Sequence, residues 1–321
     1  MNMPSELSAD VTSRRNVWAI QPEALLSLNA ANYARLQAEQ KTAGVSSAFA
    51  MASAVPEESG SIALINIRGM ITPYGSPFLA MLGLGGGGLM GFREAFHEAL
   101  ADDSVDSIVL NINSPGGLVS LVPETATEIR EARGTKPIVA VANTLAASAA
   151  YYLAAQADEV VVTPSGEVGS IGTLIRHEDI SKLLEDEGVK INLIYAGKYK
   201  TEGNPFEPLT DEARAAMQAV ADEFTSMFVA DVAAGRKVTA KAVADGYGEG
   251  RTLLAKQALE AGMADRVATL EDTIKRLGGS DAPEESEPGD EDEEGAEAIV
   301  PESEKHLSDE DRKRIAAFLL A

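Results

Sequence analysis

From about residue 61 the chain alternates short apolar runs with stretches of helical periodicity. "SIALINI", "SIVLNI", "PIVAVA", "DEVVVTP" and "KINLIYA" read as strands. "SIVLNI" is a continuous apolar run rather than an alternation, which marks a strand buried on both faces. Between these runs, "FREAFHEALADD", the residues after "SPGG" to about Arg133, the Ala-rich "NTLAASAAYYLAAQ" and "HEDISKLLEDEG" predict helices, the last stopped at Gly188. A long helix is expected from Thr210, with Asp211 and Glu212 in its first turn facing the positive end of the helix dipole. Helix–turn–strand units around "LLAKQALEAGMADRVATL" close the pattern near Leu277. Strands alternating with helices predict an α/β fold around a mostly parallel sheet.

The ends do not follow this pattern. Residues 1–57 read as an N-terminal arm, with a helix near "QPEALLSLNAANYARLQAEQ" and a small-residue linker after it. Residues 58–278 form the predicted domain, 279–306 an acidic disordered linker, and 307–321 a short amphipathic helix with Ile315, Phe318 and Leu319 on one face.

Charge alters the reading of the tail more than that of the domain. The 321-residue chain has a formal net charge of −23. Residues 281–304 hold 12 acids and no base, which leaves 38 acids against 27 bases elsewhere. Such a block repels itself, has little to bury and is expected to stay solvated. An acidic chain is a poor partner for nucleic acid. No run of about 18 apolar residues predicts a membrane span, and the N-terminus has no apolar stretch of signal-peptide length. There is no cysteine, so thiolate catalysis, disulfides and cysteine metal sites are excluded. "GLGGGGLMG" lacks the Lys-Ser or Lys-Thr of a phosphate loop and reads as a surface loop or a flap near a cleft. No cofactor is expected.

The candidate chemistry centres on Ser148, the single hydroxyl in an Ala-rich segment at an expected strand-to-helix junction. A serine nucleophile needs a base, oxyanion donors and a rigid mount. The three histidines suit a base poorly. His97 and His177 fall in expected helices and His306 beyond the acidic tail. A lysine can serve instead if a dry pocket lowers its pKa from about 10.4, and a three-unit shift costs roughly 4 kcal/mol. "INLIYAGKYKTEGNPFEPLT" offers Lys198 and Lys200 after an apolar run; an ordinary surface charge is the plain alternative for either. The glycine pair of "NINSPGG" can bring backbone close to a substrate. The amide after Ser148 would start a helix and point at the same place. Small neighbours around Ser148 are expected to leave room for a substrate backbone.

"NSPGG", "ANTLAASAAYYLA", "GSIG" and "GKYKTEGNPFEPLT", in that order, resemble the signal-peptide-peptidase-A family of serine peptidases over about residues 58–278. "GNPF" and "GMADRV" resemble its bacteriophage head-maturation branch. The resemblance implies a Clp protease/crotonase-like fold of repeated β-β-α and βα units. It implies Ser148 as nucleophile and Lys200 as general base, because Lys200 holds the matching place in G-x-x-K-x-x-G-x-P and Lys198 a variable one. Gly117 and Ala149 would supply the oxyanion amides; the family often has Gly where Ala149 stands. Ser170 would either orient the lysine or simply form a turn. The resemblance further implies a homo-oligomeric ring, in which Lys200 reaches its own Ser148 or a neighbour's, and protein substrates such as scaffold, coat or portal proteins, cut within a procapsid in the bacterial cytoplasm. Self-cleavage in residues 45–58, at "SAFAMASA", is a further expectation, as is docking by the tail. The competing readings are a crotonase-type acyl-CoA enzyme, for which no carboxylate pair is evident, and a non-catalytic scaffold protein on the same fold.

Overall fold

A computed structural model describes residues 17–20, 53–57, 60–75 and 88–278. The expected helix at 21–40, the centre of the glycine run, the acidic tail and the C-terminal helix lie outside the described residues.

The main sheet is built from β2 (Ser53–Glu57), β3 (Gly60–Arg68), β4 (Ser107–Ser114), β6 (Ile138–Ala147), β8 (Glu167–Gly169) and β10 (Thr252–Leu254), in the order β10-β8-β6-β4-β3-β2. β7 (Glu159–Val162) pairs with β6 and with β11 (Arg266–Val267). The β3/β4, β4/β6, β6/β7, β6/β8 and β7/β11 ladders are parallel, and only β2 and β10 add antiparallel among these strands. The expected mostly parallel α/β sheet is therefore what forms.

Both faces of the sheet are covered, which is why its strands are apolar at successive positions. Ile108, Leu110 and Ile112 of β4 face the larger core. That core includes Phe92 and Phe96 of α1 (Leu89–Ala101), Val122, Ala126 and Ile129 of α2 (Val122–Glu131), and α3 (Ala149–Ala154). Ile62, Val109, Val139, Val141 and Val161 face the other way, onto Leu270, Ile274 and Leu277 of α8 (Leu270–Gly278).

The long expected helix forms as α5 (Asp211–Arg236); Thr210 caps it by accepting from the Ala213 amide at 3.1 Å. α6 (Ala240–Gly246) and α7 (Ala255–Glu260) follow. Phe228 of α5 is buried and stacks on Tyr152 of α3, with ring centroids 4.4 Å apart. Phe228→Ala should cost about 3–5 kcal/mol, the usual range for a buried aromatic truncation, measured by denaturant unfolding as a shift in midpoint at constant slope.

Three local expectations differ from what forms. "KINLIYA" is not a strand: residues 190–196 run in irregular, largely exposed conformation. Apolar content alone makes it look like one, but it pairs with no strand among the described residues. "HEDISKLLEDEG" shortens to α4 (Ser181–Asp186). The Ala-rich segment starts as strand, because β6 runs on through Ala147. β6 pairs with β7 through Val139–Ala142 and with β8 through Leu145–Ala147, and a bulge between these spans lets it change partner.

A separate three-stranded sheet has the order β5-β1-β9. It joins β5 (Gly116–Leu118) and β9 (Leu174–Ile175) through β1 (Val17–Ile20), a piece of the N-terminal arm.

Candidate active site

Ser148 stands where the bulged end of β6 turns into α3. Its backbone has φ 55° and ψ −120°, a conformation rarely adopted by residues with a side chain. Strain of this kind persists only where surroundings over-determine it, and it gathers at functional sites. The determinants are visible. The Ser148 amide donates to the Gly169 carbonyl at 2.6 Å, and its carbonyl accepts from Tyr152 at 2.9 Å. The side chain is fully buried, and its Oγ has no hydrogen-bond partner. A buried hydroxyl without a partner is an exception that calls for a reason.

The mount of Ser148 is rigid. Every residue of α3 is buried. Tyr151 donates from its hydroxyl to the Met263 carbonyl at 3.0 Å, and Tyr152 to Asp231 Oδ2 at 2.5 Å. The Arg133 guanidinium collects the carbonyls of Gln156, Ala157 and Gly235 at 2.6, 2.6 and 2.9 Å, tying the turn after the short helix to the last turn of α5. The alanines have a packing use. They let α3 pack closely between the sheet and α5, so tightly that a Cβ on Gly235 would sit 2.3 Å from the Ala155 carbonyl oxygen.

Gly117 lies in β5, against which α3 packs. On one side, the Leu118 amide donates to the Ile71 carbonyl and the Ile71 amide to the Gly116 carbonyl, both at 2.9 Å. Successive residues of a strand present their polar groups to opposite edges, so the Gly117 amide faces away from Ile71. The turn before it is organised by Ser114, whose Oγ donates to the Gly69 carbonyl at 2.6 Å and accepts from the Gly116 amide at 3.1 Å. Sequence reasoning treated Ser114 only as part of a motif. Its spacing two residues before a glycine is the signal of a side-chain-to-backbone turn. Ala149 is the first residue of α3, and a first-turn amide has no acceptor within its own helix. Ser170 follows Gly169, the backbone partner of Ser148. It is nearly buried, has φ 54°, and donates its amide to the Arg251 carbonyl at 2.9 Å.

Ser148, Ala149 and Ser170 lie at the ends of β6 and β8, and Gly117 lies in β5, against which α3 packs. The lysines are elsewhere. Lys200 is exposed, in a run of turns where its amide donates to the Gly197 carbonyl at 3.1 Å. Since Ser148 Oγ has no partner, Lys200 is not within hydrogen-bonding distance of it in the single chain. Asn204 ties these turns together. It donates to the Thr201 carbonyl, accepts from the Phe206 amide, both at 2.9 Å, and meets His177 Nε2 with its own carbonyl at 3.2 Å. Lys198 is also exposed. Its ammonium contacts the Tyr199 hydroxyl at 2.7 Å and Glu212 Oε1 at 3.3 Å. The Tyr199 hydrogen bond, and then Glu212, hold its pKa above the ordinary lysine value, the opposite of what a base requires. His97 pairs with Glu128 at 3.4 Å, and neither it nor His177 reaches Ser148 Oγ. No serine–histidine pair is formed at Ser148 among the described residues, and no group there could hold a metal ion.

Residues 130–281 match peptidase family S49. The chain is 34% identical over 187 residues to capsid assembly protease C of Escherichia phage lambda, covering 58% of this chain and 42% of that protein. It is also 34% identical over 198 residues to the head-tail preconnector protein GP5 of Enterobacteria phage P21, covering 62% of this chain and 38% of the relative. The chain therefore spans about two fifths of the length of these relatives. Among solved structures, the 1510-N membrane protease specific for a stomatin homolog from Pyrococcus horikoshii is similar with TM-score 0.40 and 14% identity, covering 66% of this chain and 76% of that one. Ser148, Ser170 and Lys200 all lie within the residues that match peptidase family S49.

Proposed function

We propose that this chain is a serine endopeptidase of capsid assembly, with Ser148 as nucleophile and Lys200 as general base. One observation carries the reading: a buried serine hydroxyl without a partner, held in a strained turn between a strand and a helix, beside a glycine strand. Nothing structural accounts for that hydroxyl, whereas a peptide carbonyl and a base would complete it. The amides of Gly117 and Ala149 would receive the oxyanion as the Ser148 oxygen attacks. An uncharged Lys200 amine would take the Ser148 proton and then give it to the leaving amine. Ser170 would orient that amine.

The base comes from a second copy of the chain on this reading. Its support is the segment that carries Lys200, which exposes Leu183, Val189, Ile191, Ile194, Tyr195 and Tyr199, with Ile194 wholly exposed. Apolar residues so concentrated mark a contact surface. Covering it would also supply the desolvation that a lysine base needs. Among the described residues, no helix is long and apolar enough to cross a membrane. The substrates proposed are scaffold, coat or portal proteins within a procapsid, and the arm of this chain itself; similarity to the two phage proteins supports that class.

The reading is tested by treating the concentrated protein with a fluorophosphonate and mapping the adduct by peptide mass spectrometry. A single adduct on Ser148 is expected. Absence of any adduct, or one on another serine, rejects Ser148 as nucleophile.

A further inference from the structure

We infer that β1, the segment Val17–Ile20, is a built-in occupant of the peptide groove and blocks it until displaced. The inference rests on the peptidase reading above and on the register of the three-stranded sheet. β1 runs antiparallel to β5, with Trp18 opposite Leu118, Ala19 opposite Gly117 and Ile20 opposite Gly116. On its other edge, it runs antiparallel to β9, with Val17 opposite Ile175 and Trp18 opposite Leu174. A strand from the N-terminal arm thus fills the slot between the glycine strand and the segment that follows Ser170.

The hydrogen-bond phase fixes what faces the oxyanion donor. The Val119 amide donates to the Val17 carbonyl at 3.2 Å. In an antiparallel ladder, hydrogen-bonded pairs recur at every second residue. The next such pair is Ala19 with Gly117, which agrees with the Gly117 amide facing away from Ile71. The Ala19 carbonyl is therefore set before the Gly117 amide, the donor assigned to a substrate carbonyl. Strand addition of this kind is how extended peptides are bound at an open sheet edge. Here the slot has two edges and β1 takes both.

A tethered strand competes at an effective concentration on the order of millimolar. A protein substrate that binds through the same backbone pairing must displace it. Among the described residues no base reaches Ser148 Oγ, so the strand is held rather than cut. The same register distinguishes this segment from "SAFAMASA". The end of that stretch, Ser53–Ala54, is committed to β2 at the far edge of the main sheet, paired with Leu64 and Ala63.

The chain has no cysteine, so the strand can be locked cleanly. Val17 and Ile175 form the non-hydrogen-bonded pair on the β9 side, with a Cα separation of about 4.5 Å, inside the disulfide range. The full-length Val17→Cys/Ile175→Cys protein, oxidised, should hydrolyse fluorescein-labelled casein at least about tenfold more slowly than when reduced. Each single-cysteine control should be insensitive to oxidation. Equal rates for the oxidised and reduced double variant overturn the inference. Hydrogen exchange of wild-type amides gives a second readout that needs no activity. Ala19, Gly117 and Val119 should be protected, and Ala19→Pro, which removes one donor of the ladder, should release that protection. Exchange of these amides at unprotected rates in wild type overturns the occupant even if casein is never cut. A fluorophosphonate adduct on Ser148 without such protection leaves the peptidase reading standing alone.

Discussion

Substituting Met for Lys200 should lower kcat/KM for peptide hydrolysis by about 10²–10⁴-fold, the range for removing a general base, while Lys198→Met stays within a few-fold of wild type. The two lysines are two residues apart, and chemistry alone could assign either. Their surroundings separate them. Lys198 is engaged by Tyr199 and Glu212, and both contacts favour its charged form. An ammonium stabilised in this way has no lone pair to offer at neutral pH. Rotating Lys198 inward would also break both contacts. Mixing Ser148→Ala with Lys200→Met then assigns the base to a chain. If Lys200 serves a neighbour's Ser148, co-assembled inactive variants should recover about a quarter of wild-type activity under random mixing in a closed ring. Recovery should fade on dilution, since the site is incomplete without its partner. Mixtures that stay inactive assign Lys200 to its own chain. Full activity of Lys200→Met alone removes it from the mechanism.

What could be read from residues, and what could not, divides along the range of the interactions. The strands β3, β4 and β7 were legible because burial on both faces leaves a continuous apolar run. α5 was legible from its cap and acidic first turn. Ser148 stood out as one hydroxyl among small side chains, and Gly117 as part of a glycine pair after a buried strand. The extension of β6 through Ala147 was not legible. It depends on a bulge and on a new neighbour, β8, and alanine carries no preference strong enough to announce either. "KINLIYA" misled for the converse reason. An apolar segment looks like a buried strand whether its partner lies in the same chain or in another. The pairing of β1 was hidden altogether, since "VWAI" is four residues long and its register is set by β5 and β9, about 100 and 157 residues away.

Gly117→Ala should reduce kcat by about 10²–10³-fold, the cost of losing one oxyanion donor, while the fold is retained. A Cβ built at this position lies 1.9 Å from the Ile71 carbonyl oxygen and 2.6 Å from the Ile71 carbonyl carbon and amide nitrogen. All three are backbone atoms held in a hydrogen-bonded bridge, so no side chain can swing aside. Either β5 moves away from Ile71 or the bridge breaks, and in both cases the Gly117 amide leaves its place. Ala149 would then face the oxyanion alone. Because the amide is proposed to act on charge that develops in the transition state, the loss should fall on kcat more than on KM. Gly91→Ala is the matched control. A Cβ there meets nothing within 4 Å, and the residue lies within α1, where alanine is favoured over glycine by roughly 0.5–1 kcal/mol. That variant should unfold at a slightly higher temperature and keep full activity. Wild-type kcat in Gly117→Ala, with its circular dichroism unchanged, would mean that the backbone at β5 yields without cost and that the oxyanion is received elsewhere.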